Sequence, residues 1–301
     1  MNNYYEPDIK TFWNYSGVVL MMIILLVANL TFAPAIALVM AKIKGMDLQE
    51  FLNAVQGNSG YSFTNTARQF HFFSFIIYMF FPAALFLTIN RTSYGSILGY
   101  KLPGPKQLTI IFVLILACIP LAMLGVYGME QLPWPDAVRS FANNLNSTRQ
   151  IQFDLLLQMP HLGHLAVCLF LLAALPAFCE ELIFRGIMMP IIAKKTGKFW
   201  IGLLVQALIF ALLHFSMYEL LTIFLLGAML GWVAYTYGLV ASMAAHFIFN
   251  STTVIAEYAA QHGSPQAAAV AQNNILPNGA LLILGVIIVV FIIARKPWAK
   301  P

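Results

Sequence analysis

Charge is what this sequence has least of. Only 9% of its 301 residues are Asp, Glu, Lys or Arg, against roughly 25% in soluble domains. With 60% hydrophobic residues and a mean hydropathy of +0.80, the chain reads as an integral membrane protein. Short alternating segments are missing as well. The apolar runs extend over about twenty residues, which fits membrane helices and excludes barrel strands of about ten. No CxxC pair occurs, and Cys118, Cys168 and Cys179 all lie in apolar stretches, where they read as small buried hydrophobes. No HExxH occurs, so the familiar metalloprotease helix is absent. A basic leader is lacking too: Glu6 and Asp8 precede a first apolar run too long for a signal peptide, so no cleaved leader is expected. The net charge of +5 comes from cations scattered between apolar runs, as topology determinants are, and no nucleic-acid partner is expected.

What is present is a series of apolar runs that predicts an all-α, polytopic membrane protein with about eight spans. They cover Tyr15 to Met40, Phe70 to Ile89, Gln107 to Tyr127, Leu162 to Met189, Phe199 to Met217, Leu220 to Tyr237, Leu239 to Ala260 and Leu276 to Ala294. Eight spans put both termini on one side. That side carries ten Lys and Arg residues and the other carries five, Lys42, Lys44, Arg68, Arg139 and Arg149, with Arg185 left out because it lies inside a span. The positive-inside rule therefore places both termini in the cytosol. The organisation expected is a block of spans and an outside loop over 1–160, a core over 161–260, and a polar connection with the last helix over 261–301. The stretches Met129 to Pro160 and His262 to Asn274 are expected to be plain connections, although the first has amphipathic pieces suited to a membrane surface. The GAMLG run at Gly227 and Gly231 suits close helix packing, either between protomers or, as expected here, within one chain.

Against this background the stretch FCEELIFRG, 178–186, stands out. Glu180 and Glu181 end a long uncharged run, where a carboxylate costs about 2.5–3.5 kcal/mol on insertion scales. Glu181 and Arg185 are four apart and can pair on one helix face. Glu180 points about 100° away and needs something else. His214 is the candidate, because both residues lie seventeen positions from Gly197 at the tip of a helical hairpin. Farther on, HFIFN sets His246 and Asn250 on one face of the seventh span. His246 lies eight residues from the turn at Gly238, or about 12 Å deep. Glu180 matches that depth only if the tip around Lys194, Lys195 and Lys198 stands out of the hydrocarbon. A water between Glu180 and His214 would have a base beside it, with His246 and Asn250 as donors to an oxyanion. Two His and two Glu could instead bind zinc.

In order and spacing, EELIFR, FALLH and HFIFN resemble the EExxxR, FxxxH and HxxxN motifs of the type II CAAX prenyl endopeptidases, also called CPBP or Abi. The resemblance covers about residues 160–255. It implies an intramembrane endopeptidase that needs neither a covalent intermediate nor a metal. By motif position, Glu180 would activate water with help from His214. His246 and Asn250 would hold the oxyanion, and Glu181 and Arg185 would be the supporting pair.

The expectation is thus a multi-pass membrane hydrolase, in the plasma membrane if the source is prokaryotic. Its site would open to the cytosol and its substrate would be a membrane-associated protein or peptide. No cofactor is expected, zinc being the alternative. A proton-coupled transporter would use the same Glu and His as a relay and should show related halves. A non-catalytic membrane scaffold or immunity protein on the same fold is the third possibility.

Overall fold

The computed structural model describes residues 25, 33–89, 102–266, 268 and 279–294. Among these residues all regular structure is helical, with no strand. The helices are α1 (33–44), α2 (Leu48–Val55), α3 (Tyr61–Ile89), α4 (Pro105–Gln131) and α5 (Asp136–Leu156). They continue as α6 (Leu162–Thr196), α7 (Phe199–Leu212), α8 (Leu220–Tyr237), α9 (Leu239–Gln261) and α10 (Gly279–Ala294). Five of them, α3, α4, α6, α8 and α9, are long and apolar enough to cross a membrane, while α7 and the 282–292 part of α10 are shorter apolar helices. Most of the first expected span lies outside the described residues, and so does most of the stretch from His262 to Asn274.

Local chemistry sets several boundaries. Asp47 accepts from the Glu50 amide and caps α2. Gly104 donates to Gln107 just before Pro105 opens α4. Between α8 and α9 there is only Gly238, whose φ of 96° requires a residue without a side chain. Three helical stretches widen to π geometry, at Ile76–Phe80, Phe170–Ala174 and Leu182–Met188. Each ends two residues before a proline: Pro82, Pro176 and Pro190. A proline inside a helix removes one amide and crowds the carbonyl four residues back. A π turn is one way to relieve that conflict without ending the helix. Pro120 in α4 sits in plain α-helix.

α6 and α9 run antiparallel at the centre of the molecule. Near one end Gln261 bonds the Leu157 carbonyl and the Met159 amide. Some fifteen residues away along α9, His246 meets α6 at Glu181. α7 packs against the end of α6 through Gly202, where a Cβ would lie 2.6 Å from the Met189 carbonyl oxygen. Gly227 and Gly231 bring α8 onto α7, facing Phe210, Ala207, Leu203 and Gln206. The GAMLG run is thus used within the chain, as its small residues suit. The largest core cluster lies beside the site and includes Leu87, Ile183, Phe184, Ile187, Phe210 and Leu239.

Two expectations need correction. The stretch 129–160 is more than a connection: it contains the 21-residue helix α5. α5 is tied to the neighbouring helix ends by Arg149–Glu219 at 2.9 Å and by Tyr218 donating to Asn143. Its polar side chains concealed it from a reading based on apolar runs. Arg68, counted as a loop cation, is buried in α3, where it donates to the Leu156 and Gln158 carbonyls and contacts Cys168 Sγ. These bonds replace the solvent that a loop arginine would have had.

Candidate active site

Glu181 is fully buried and saturated with donors. Its Oε1 accepts from Arg185 Nη1 at 2.8 Å and from His246 Nδ1 at 2.9 Å, and its Oε2 accepts from Ser242 Oγ at 2.7 Å. Arg185 lies in the π segment directly after Glu181. Its Nη2 donates to the Gly227 carbonyl, and its guanidinium stands 4.5 Å over the Phe210 ring. Gln206 donates to the same Gly227 carbonyl. The pair expected from i, i+4 spacing is therefore present, embedded in contacts from α7, α8 and α9 that only the fold supplies.

Glu180 differs in kind. It is 8% exposed, and its Oε2 has no hydrogen-bond partner. Among the described residues, His246 stands within ion-pair distance of it, with Nε2 3.8 Å from Oε2. That is too far for a direct hydrogen bond and close enough for one water to join the two. Because His246 Nδ1 faces a carboxylate acceptor, that nitrogen carries a proton. Nε2 then decides what the ring can do. Unprotonated, it is an acceptor toward a water; protonated, it is a donor toward an oxyanion.

His214 sits elsewhere than hairpin counting predicts. α7 ends at Leu212, five residues short of the expected Met217, and His214 lies in the turn that follows. Phe215 there has a φ of 49°, in the left-handed region that non-glycine residues rarely enter. The His214 Nδ1 is 2.7 Å from the Phe210 carbonyl oxygen one turn back. No ion pair or hydrogen bond joins His214 to Glu180 among the described residues. Phe210 stands between the histidines, with ring centroids 4.5 Å from His214 and 6.1 Å from His246. The depth question has the other answer foreseen. Glu180 is level with His246 while lying nine residues farther from its own turn, so the α6–α7 tip projects roughly 13 Å beyond the α8–α9 turn.

Asn250 lies one turn after His246 on α9, is half-buried, and makes no side-chain hydrogen bond among the described residues. Ser242 and Gln206 were not singled out from the sequence. The signal for Ser242 was its place one turn before His246, and for Gln206 its place one turn before Phe210 as a polar residue in an apolar helix. Among the described residues no three His, Cys, Asp or Glu side chains converge as metal ligands do. Two cavities, of about 1040 Å³ and about 400 Å³, lie elsewhere, and no motif residue lines either one.

No curated protein and no solved structure matches the chain. One family does, and it falls on the helices just described. Residues 162–252, the stretch that holds Glu180, Glu181, Arg185, His214, His246 and Asn250, match the family described as type II CAAX prenyl endopeptidase Rce1-like.

Proposed function

We propose that this membrane protein is an intramembrane endopeptidase in which Glu180 activates water. The observation that carries the reading is the contrast between neighbours. Glu181 is saturated by three donors, while Glu180 presents a buried oxygen with no protein partner, 3.8 Å from an imidazole. A carboxylate held this way inside a span has a cost that a purely structural residue would not need to bear.

The proposed reaction balances without a covalent enzyme intermediate. A water beside Glu180 gives a proton to the carboxylate as its oxygen attacks the peptide carbonyl carbon. Charge on the carbonyl oxygen is received by donors from His246 Nε2 and the Asn250 amide. The tetrahedral species then expels the amine, which takes the proton from Glu180. A carboxylic acid end and an amine end leave, and Glu180 is again ionised. His214, held by Phe210 through one nitrogen, offers the other to the attacking water. Glu181 and Arg185 fix the orientation of His246. Within this reading 1–160 supplies one wall and the α5 cover, 161–260 supplies the chemistry, and 261–301 completes the bundle. The substrate is a membrane-associated protein or peptide, and the enzyme works as a multi-pass protein, in the plasma membrane if the source is prokaryotic.

The test is comparative proteomics of membranes from cells that carry the wild-type chain or Glu180→Gln. Peptides with new termini should occur only with the wild type. An identical terminus profile from an equally abundant, folded variant would overturn the reading.

A further inference from the structure

The wall of the site that lies outside the family match is α3. Its Phe75 packs in one cluster with Leu175 and Cys179 of α6, and Tyr78 lies against the same cluster. Phe80 faces Phe178 with ring centroids 6.2 Å apart. Cys179 directly precedes Glu180, so these contacts set α3 beside the first glutamate, and Tyr78 lies within electrostatic range of its carboxylate.

His71, Ser74 and Tyr78 are spaced i, i+3, i+7 along α3 and therefore share a face. All three line one cavity of about 400 Å³, enclosed with residues of α1, α2 and α5. Exposed residues line it at Pro34, Leu48 and Gln56, and along α3 it reaches as far as Tyr78. From the level of Ala67 to that of Tyr78 the cavity wall follows α3 for about 16 Å. Most of the remaining lining is apolar, as at Ala37, Leu52, Val55 and Ala67.

His71 interacts with the Leu171 backbone of α6, yet two buried polar atoms of this face have no protein partner. Ser74 is 2% exposed, and its Oγ has no hydrogen-bond partner. Nε2 of His71 is buried and unpartnered in the same way. The Tyr78 hydroxyl makes no hydrogen bond among the described residues. Glu180 Oε2, which does not line the cavity, is again buried without a partner. Unpaired polar atoms in an apolar interior are costly, and they are normally satisfied by ordered water where there is room for it. A water takes about 30 Å³ of liquid volume, so this cavity has room for several.

Hydrolysis consumes one water for each bond broken, and the hydrocarbon around a membrane span supplies none. We propose that His71, Ser74 and Tyr78 form a hydrophilic track on α3 that carries water from the mouth of this cavity to Glu180. The proposal rests on the reading of Glu180 as the base and adds the route of its co-substrate. The mouth lies beside α2 and α5, on the face that the Lys and Arg count places away from the cytosol. Water and substrate thus reach the glutamate from opposite sides.

The test is hydroxyl-radical footprinting of the full chain in lipid nanodiscs, with radicals made from water by a brief X-ray pulse. Tyr78 and His71 should be modified at least several-fold faster than Phe184 and Phe210, which are buried and touch neither cavity. Ser74→Leu should cut the modification of Tyr78 several-fold and leave the exposed Tyr61 unchanged. Ser74→Ala removes the hydroxyl without adding bulk, so it should give a smaller drop even if the leucine variant folds poorly. Modification of Tyr78 no faster than that of Phe184 and Phe210, or unaffected by either substitution, would overturn the track. Repeating the pulse on Glu180→Gln separates the two readings. Tyr78 modified in a variant that still cleaves would leave the track standing and remove the base. Cleavage that needs Glu180 while Tyr78 stays unmodified would do the reverse.

Discussion

The two faces of α6 at Glu180 and Glu181 make a controlled comparison, since the residues are identical in type and adjacent in sequence. The face toward α7, α8 and α9 is closed. Every donor that Glu181 can use is in place, and Arg185 and Gln206 converge on one carbonyl. Glu180 Oε2 lacks a hydrogen bond although His246 stands 3.8 Å away, and on the neighbouring α3 Ser74 Oγ and His71 Nε2 lack one too. On the closed face Arg185 Nε and Gln206 Oε1 lack partners, but both oxygens of the Glu181 carboxylate are bonded. Both carboxylates are buried, and only Glu180 has an oxygen without a partner, which makes it the one to test for reactivity.

The sharpest way to break this comparison is to neutralise each glutamate in turn. Glu180→Gln should abolish cleavage and leave the fold intact, because no protein donor loses its acceptor. Glu181→Gln should leave Arg185 buried and unpaired, at a cost of about 3–5 kcal/mol in stability, with activity lost through unfolding. Peptide release and thermal unfolding, measured on both variants, decide it. Equal destabilisation with full activity in Glu180→Gln would erase the distinction between the faces.

Asn250→Ala comes next in size. Removing one oxyanion donor typically lowers turnover about a hundred- to a thousandfold. The loss should fall mainly on kcat, because the oxyanion is present only along the reaction path. Asn250→Asp should be at least as slow, since an added carboxylate repels that charge. A rate within about threefold of wild type together with a lower Tm would instead make Asn250 a packing residue.

On the closed face, Gly202→Ala should cost stability without changing turnover per folded molecule. The new Cβ would fall 2.6 Å from the Met189 carbonyl oxygen and 2.8 Å from the Ala193 Cβ, both fixed by the backbone. Overpacking of this kind costs about 1–3 kcal/mol, readable as a lower Tm. The smallest effect is expected from a strong chelator. Chemistry based on a carboxylate should survive dialysis unchanged. Loss of activity that zinc restores would turn Glu180, His214 and His246 into metal ligands.

Much of this site was legible because helix spacing is local. Glu181 with Arg185, and His246 with Asn250, follow from i, i+4 alone. The partner of Glu180 was not legible. Counting from Gly197 assumed an antiparallel hairpin of uniform helices, and it pointed to His214. In the structure α7 stops at Leu212, α6 carries two π segments, and the tip projects, so His246 takes the place beside Glu180. α5 and the burial of Arg68 were hidden for a related reason: hydropathy finds helices that meet lipid and misses polar ones that cover helix ends. The contribution of α3 had no motif to announce it, because three polar residues on a helix face gain meaning only from the cavity they share.

The π turns before Pro82, Pro176 and Pro190 also bear on how this chain can change its length. Each holds, in effect, one residue more than an α-helix of the same rise would use. Deleting a single residue within 170–174 should let that segment close to α geometry while the flanking turns keep their register. A deletion in the regular helix of α8 would rotate everything after it by about 100°. A residue should thus be dispensable at such places without displacing Glu180 from His246. A scan of single deletions along α6 and α8, read by Tm, would map them.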